Sequence, residues 1–557
     1  MSESTKPGVA RGIVAPWVFW PAAVIVVAFV VLALVAPSAT EHAFAALQSG
    51  IVRDFSWYYV LVAAAFVGFA IFIGFSGFGD IVLGKDADKP EFSTVSWFAL
   101  LFAAGMGIGL VFYGVSEPLS HFASPRPGVT GGPAVLAQQA LTQTFLHWGL
   151  HAWGIYVVVG LALAYAIHRR GRPVSIRWAL EPLLGRRVRG GWGNLIDVIA
   201  LVGTLFGVAT SLGLGVLQIS SGLDAIGLLQ SSRLVEIVLI VIVTGIAIVS
   251  LVTGVGKGMK ILSNFNLLLA ALLLLFVLCV GPTQFLLREF VQTIGDYLQN
   301  FVGLSLNVSA FSGTAGEKWQ GAWTTFYWGW WMSWAPFVGI FIARISKGRT
   351  VRQFVFGVML VPTLLTFLWF AVLGGAALYE QLYRGGTLVG PGGHVDVEGA
   401  LFQLLGSLPA GTVLIAGAIL LIAVFFVTSA DSGALVMAMI ATGGQLEPRK
   451  LIRIFFAVIT ALVAIALLLS GGLTALKTAA ITTALPFSVV IILMCWSTVI
   501  ALTREKRAYR AAERAVLLDE LAAHYEAEVE VPAARDPRTG PIAQLRRRAR
   551  RGGGSVR

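Results

Sequence analysis

The chain has 557 residues, 57% of them hydrophobic and only 12% charged, with a mean hydropathy of +0.83. Soluble chains carry roughly 25% charged residues. This one has too little polar surface to cover a set of soluble domains, so a bilayer is implied. The net charge of +12 would suit a nucleic-acid binder, but the placement of the basic residues gives it another meaning.

Residues 1–14 form a short N-terminus, expected to be cytoplasmic. The apolar stretch from Ile13 to Ala36 reads as a retained helix, since no cleavage site with a mature soluble domain follows it. An outer-membrane barrel is excluded because its strands run ~10 residues, half the length of the apolar runs here. At ~20 residues per crossing, the sequence predicts an all-α membrane protein with twelve spans. The first seven are 15–37, 55–79, 95–119, 141–168, 194–222, 234–254 and 261–281. The last five are 322–345, 352–379, 410–441, 451–470 and 478–502. Segments 284–302 and 398–408 are apolar but short or charged, and suit helices lying along the membrane. Cys279 and Cys495 lie inside apolar runs, which supports neither a disulfide framework nor a metal cluster.

With the N-terminus inside, the five cytoplasmic loops hold eighteen Lys and Arg, and the six opposite loops hold seven. This obeys the positive-inside rule, so the net charge is mainly a topology signal and no nucleic-acid partner is expected. Both termini are placed in the cytoplasm, at the inner membrane of a bacterial-type cell. Residues 503–557 form a charged tail ending in Leu545-Arg-Arg-Arg-Ala-Arg-Arg, attracted to anionic lipid.

Span three carries Gly105, Gly107 and Gly109. Such alternation does not fit a single packing face, which wants GxxxG. It fits an unwound stretch whose backbone groups are free for a ligand. Span eight reads Phe326-Tyr-Trp-Gly-Trp-Trp-Met-Ser-Trp-Ala-Pro-Phe, and Gly329 and Pro336 are expected to interrupt it. Interrupted helices in corresponding places of two halves point to a transporter site. Spans three to seven and eight to twelve are two units of five, so the second enters from the opposite side.

These residues resemble the betaine/carnitine/choline transporter family over about residues 15–502. The motifs are Gly105-Met-Gly-Ile-Gly with Ser116-Glu-Pro, Trp328-Gly-Trp-Trp-Met-Ser-Trp-Ala-Pro-Phe with Ala343-Arg-Ile-Ser-Lys-Gly-Arg, and Thr428-Ser-Ala-Asp-Ser-Gly. The resemblance implies a LeuT-like fold: two leading helices (15–94), a first repeat (95–281), a connecting segment (282–321) and an inverted second repeat (322–502). It also implies a homotrimer.

A quaternary ammonium cannot donate a hydrogen bond, and an aromatic cage suits it, each face contributing ~0.5–2 kcal/mol. Trp148, Trp153 and Tyr156 fall on about one face of span four, and Trp328, Trp331 and Trp334 on one face of span eight. Lipid-interface tryptophan is the alternative, but several of these sit mid-span. The resemblance implies that Trp148, Trp153, Tyr156 and Trp331 form the substrate cage. Trp330 and Trp334 would be its access wall, and Gly105, Met106, Gly107 and Gly109 would offer freed backbone.

The resemblance also implies a coupling sodium held by backbone oxygens of Ala103 and Met106 with Phe425, Thr428 and Ser429. Relatives with a second sodium use two span-five threonines and a span-eight phenylalanine. Thr204 and Phe337 match, but Val208 has no oxygen to give. Proton-coupled choline members end the glycine motif in Asp, so Gly109 favours a zwitterion with sodium.

His147 and His151 read as polar packing rather than a metal pair. Glu117 and Asp431 are functional candidates as ionisable groups at membrane depth. Glu117 could equally be an exposed helix end, and Asp431 could cap freed backbone. No catalytic constellation is present, and Lys257 lacks the rest of a Walker A loop. The expected function is sodium-coupled import of glycine betaine for osmoprotection. The alternatives are a proton-coupled choline carrier, a sodium-independent carnitine-type carrier, or sodium-coupled ectoine or proline uptake.

Overall fold

The computed structural model describes residues 14–528, except Met106 and residues 254–255. Apart from one β-bridge between Val82 and Thr350, the regular structure described is helical. In chain order come α1 (Pro16–Val35), α2 (Pro37–Phe75), α3 (Thr94–Gly105), α4 (Ile108–Ala123), α5 (Pro133–Trp148) and α6 (Leu150–Ala164). Next are α7 (Glu181–Leu184), α8 (Gly191–Ala225), α9 (Arg233–Thr253), α10 (Gly256–Val280), α11 (Thr283–Ser305) and α12 (Gly313–Ala322). The rest are α13 (Thr324–Arg344), α14 (Val351–Tyr383), α15 (Ala400–Gly406), α16 (Gly411–Ala441), α17 (Lys450–Leu469) and α18 (Gly472–Glu528). The chain forms two compact units, Met1–Val499 and Ile500–Arg557, the second helical through Glu528.

Among the described residues, ten helices are long and apolar enough to cross a membrane. They are α1, α2, the α5–α6 pair, α8, α9, α10, α14, α16, α17 and α18. Expected span three is not one of them, because it is split into α3 and α4 with Gly107 extended between. Span eight is α13, whose tryptophans and tyrosine make it less hydropathic than an aliphatic helix. It is nonetheless buried around most of its circumference, as a helix at the centre of a bundle should be. It packs against α6 and α8, while α4 lies between α5 and α14 and α16 lies on α8.

Three expectations are corrected. Span eight is one continuous helix: Pro336 is accommodated within it. Gly329 lets the α18 backbone approach, since a Cβ there would lie 2.9 Å from Ile481 Cα. Span four is instead broken, at Gly149 (φ −93, ψ −133) between α5 and α6. The helix that holds span two begins well before residue 55, because the polar segment before it continues the same helix from Pro37.

Candidate functional site

The break at Gly149 leaves carbonyls at the end of α5 without helical partners, and side chains from other helices supply them. Trp331 Nε1 donates to the His147 carbonyl at 2.9 Å, and Thr366 Oγ1 to the Trp148 carbonyl at 3.2 Å. A side chain at 149 would lie 2.5 Å from the Phe145 carbonyl and 2.8 Å from the Phe367 ring, so glycine is required. Trp148 therefore stands at a helix end locked against α13 and α14, on a different helix from Trp153 and Tyr156.

Four of the expected cage residues form a series of near-perpendicular walls. Trp148 meets Trp331 at 4.9 Å and 69°, Trp331 meets Tyr156 at 6.4 Å and 74°, and Tyr156 meets Trp153 at 5.4 Å and 78°. Trp330 stacks on Trp331 at 4.9 Å and 14° and meets Trp148 edge-on at 6.2 Å. It is thus part of the same aromatic body. Trp334 lies further along, 6.5 Å from Trp330.

Gly109 on α4 faces this body. A Cβ there would lie 2.5 Å from Trp330 Cη2 and 3.0 Å from Trp148 Cη2. Gly107 has more room, with Trp334 as its neighbour at 3.7 Å. Gly105 closes α3, and Met106 lies outside the described residues.

Glu117 is not an exposed helix end. It is fully buried and joins the site through its side chain. Its Oε1 accepts His147 Nδ1–H at 2.7 Å and His121 Nε2–H at 3.2 Å, and its Oε2 accepts Trp148 Nε1–H at 2.7 Å and the Tyr327 hydroxyl. Glu117, His121 and His147 could between them reach a metal ion. Their short mutual contacts, with two N–H groups on one oxygen, describe a hydrogen-bond hub instead. His147 thus bonds to Glu117, which it shares with His121, rather than to His151, which stacks on Trp328 at 4.8 Å. Asp431 does not cap backbone; it pairs with Arg453 at 3.2 Å.

A cavity of about 120 Å³ brings together Ala103, Phe425, Thr428 and Ser429 of the expected sodium site, with Trp334 and Phe337 beside them. The Thr428 hydroxyl donates to the Val424 and Phe425 carbonyls at 3.0 and 3.1 Å, which leaves oxygen lone pairs for a cation. Hydroxyl oxygens without a carboxylate among the described lining residues suit a monovalent ion better than calcium. The donor set fits sodium. Of the second expected set, Phe337 lines this cavity. The Thr204 hydroxyl turns back to the Ala200 carbonyl at 2.7 Å, and Val208 packs where α8 meets Gly433 of α16.

Sequence motifs reach the cage and the cavity. They single out Glu117 but not the partners that make it a hub, and they do not reach the Gly149 break. The break is a single glycine between Trp148 and Leu150 in an apolar run, which no local pattern marks; the hub joins positions up to 210 residues apart.

Residues 17–507 match the sequence family described as BCCT, betaine/carnitine/choline family transporter. An uncharacterized transporter of Mycobacterium tuberculosis is 52% identical over 86% of this chain and 82% of its own length. The glycine betaine transporter OpuD of Bacillus subtilis is 46% identical over 89% of this chain and 96% of its own. The high-affinity choline transport protein of Escherichia coli is 41% identical over 79% and 65%. These relatives are named as carriers and none as an enzyme. The chain belongs to the betaine/carnitine/choline transporter family and is a multi-pass membrane transporter.

Proposed function

We propose that this protein imports glycine betaine, coupled to sodium, as an osmoprotectant. One observation carries the substrate: Gly109 lies against Trp148 and Trp330, leaving no room for a side chain. The cage therefore offers π-faces to a trimethylammonium group and no counter-charge at that position. Glu117 is close, but four donors occupy its oxygens. A substrate that carries its own carboxylate meets this site with its charge already balanced. The freed backbone of span three, which would hold that carboxylate, also borders the cation cavity through Ala103. Bound sodium would then favour the closed substrate site, which is the basis of coupling.

In this reading the ten apolar crossings are joined by the split α3–α4 pair and the aromatic α13 to make twelve. Helices α1 and α2 lead, and the following spans form two inverted repeats of five in a LeuT-like fold. Both termini face the cytoplasm at the inner membrane, and three copies assemble. The tail, outside the described residues beyond 528, reads osmotic state through its contacts with anionic lipid. Its attraction weakens as internal salt rises and the Debye length shortens from ~10 Å at 0.1 M toward ~3 Å at 1 M.

Uptake into proteoliposomes under imposed sodium, potassium or proton gradients tests the proposal, with betaine, choline, carnitine, ectoine and proline as substrates. Accumulation of betaine driven by sodium supports it. Choline accumulation driven by protons would replace it with the reading that the Escherichia coli relative's name favours.

A further inference from the structure

The wall of the cation cavity opposite α16 comes from α10, which the motif match leaves unassigned. Ser263, Asn266 and Leu267 line it, at the i, i+3 and i+4 positions that share one helical face. Asn266 is 2% exposed, and its side-chain carbonyl oxygen has no hydrogen-bond partner among the described residues. Buried acceptors are paired in the great majority of cases, and one lying in an apolar span without a partner is costly. This orphan borders a cavity that also presents the hydroxyls of Ser263, Thr428, Ser429 and Ser432. An amide carbonyl is a hard, uncharged oxygen donor of the kind that binds alkali and alkaline-earth cations.

We infer that Asn266 Oδ1 is a cation ligand, and that with the Ser263 and Ser432 hydroxyls it forms a sodium subsite on the α10 side of the cavity. The inference rests on the proposed sodium coupling and extends it to Ser263 and Asn266, outside the three recognised motifs, and to Ser432 within the third. Because α10 and α16 are separate helices packed on one another, an ion held between them ties the two together. Sodium should therefore stabilise the folded protein as well as drive uptake, since a ligand bound only to the native state raises stability by mass action.

The test compares purified wild type, Asn266→Leu and Asn266→Asp by thermal unfolding in detergent, titrating sodium chloride against potassium chloride at constant ionic strength. Sodium-dependent betaine uptake is measured in parallel. Wild type should show sodium-specific stabilisation. Asn266→Leu should raise the half-saturating sodium at least about tenfold in both measurements, while uptake persists at saturating sodium. Asn266→Asp, which keeps an oxygen and adds charge, should bind sodium at least as tightly as wild type. If Asn266→Leu does not fold, Ser263→Ala should still raise half-saturation several-fold.

Titrations of Asn266→Leu, or of Ser263→Ala in its place, that superimpose on wild type would overturn the inference and leave Oδ1 satisfied by water. The Thr428→Ala/Ser429→Ala double variant separates the two claims. If it abolishes the sodium response and the Asn266→Leu titrations superimpose on wild type, sodium coupling stands and the Asn266 subsite falls. A wild type with no sodium-specific stabilisation and no sodium-dependent uptake would overturn both.

Discussion

The carboxylate of Glu117 accepts the indole N–H of Trp148 at 2.7 Å, so a wall of the aromatic cage is anchored by a buried charge. The same carboxylate takes the Tyr327 hydroxyl from α13 and His147 from α5. It thus ties α4, α5 and α13 together beside the cage. Hydrogen bonds to charged groups contribute ~1.5–3 kcal/mol each. Glu117→Gln keeps the shape but loses the charge and an acceptor. We expect the KM for betaine to rise roughly tenfold, the effect of ~1.4 kcal/mol, with the protein still inserted. An unchanged KM would mean that Trp148 is held by packing alone.

Trp331 contributes both a π-face and an indole N–H to the broken α5–α6 junction. Trp331→Leu keeps apolar bulk and removes both. Betaine affinity, measured by equilibrium binding, should fall about tenfold or more, in line with ~0.5–2 kcal/mol per cation–π face plus the lost hydrogen bond. Unchanged affinity would remove Trp331 from the site.

Gly109 offers a paired test. Gly109→Ala adds a Cβ against Trp330 and Trp148 and should weaken betaine uptake without admitting choline. Gly109→Asp adds the same Cβ and a carboxylate, and should admit choline with a proton dependence despite the displaced rings. Choline uptake absent at every pH would show that position 109 does not decide specificity.

Glu289 on α11, outside the crossing helices, is buried beside Gly375, with its carboxyl pushed up to about 8 by burial. A proton held more tightly in the folded state stabilises it below the ordinary pKa of 4.5. That stability is lost as pH rises through about 8. Glu289→Gln should therefore unfold at a higher temperature than wild type at pH 8 to 9, with little difference at pH 5. Equal melting temperatures at the higher pH would show that α11 is not held by the neutral acid.

The tail gives a regulatory prediction. Deleting residues 533–557 should leave betaine transport intact and flatten its dependence on osmolality. Wild-type uptake that already ignores osmolality would contradict it.

Most of the helices and the split in span three are legible in the sequence because each rests on local pattern: apolar length and alternating glycine. What is not legible depends on packing across the bundle. Pro336 and Gly329 look like helix breaks, yet α13 continues because neighbouring helices enclose it and Gly329 serves close approach to Ile481. Gly149 looks unremarkable between Trp148 and Leu150, but Phe145 and Phe367 leave it no room for a side chain. Asn266 is a single polar residue in an apolar run, and only the cavity gives it a role.

The central claim is that a trimethylammonium zwitterion binds in the Trp148–Trp331–Tyr156 cage under the control of sodium. Calorimetric titration of the purified protein with glycine betaine, in sodium chloride and in potassium chloride of equal ionic strength, tests it most directly. Saturable binding in sodium, weakened many-fold in potassium and lost in Trp331→Leu, is the predicted result. Binding of equal strength in both salts, or binding that Trp331→Leu leaves unchanged, would contradict it.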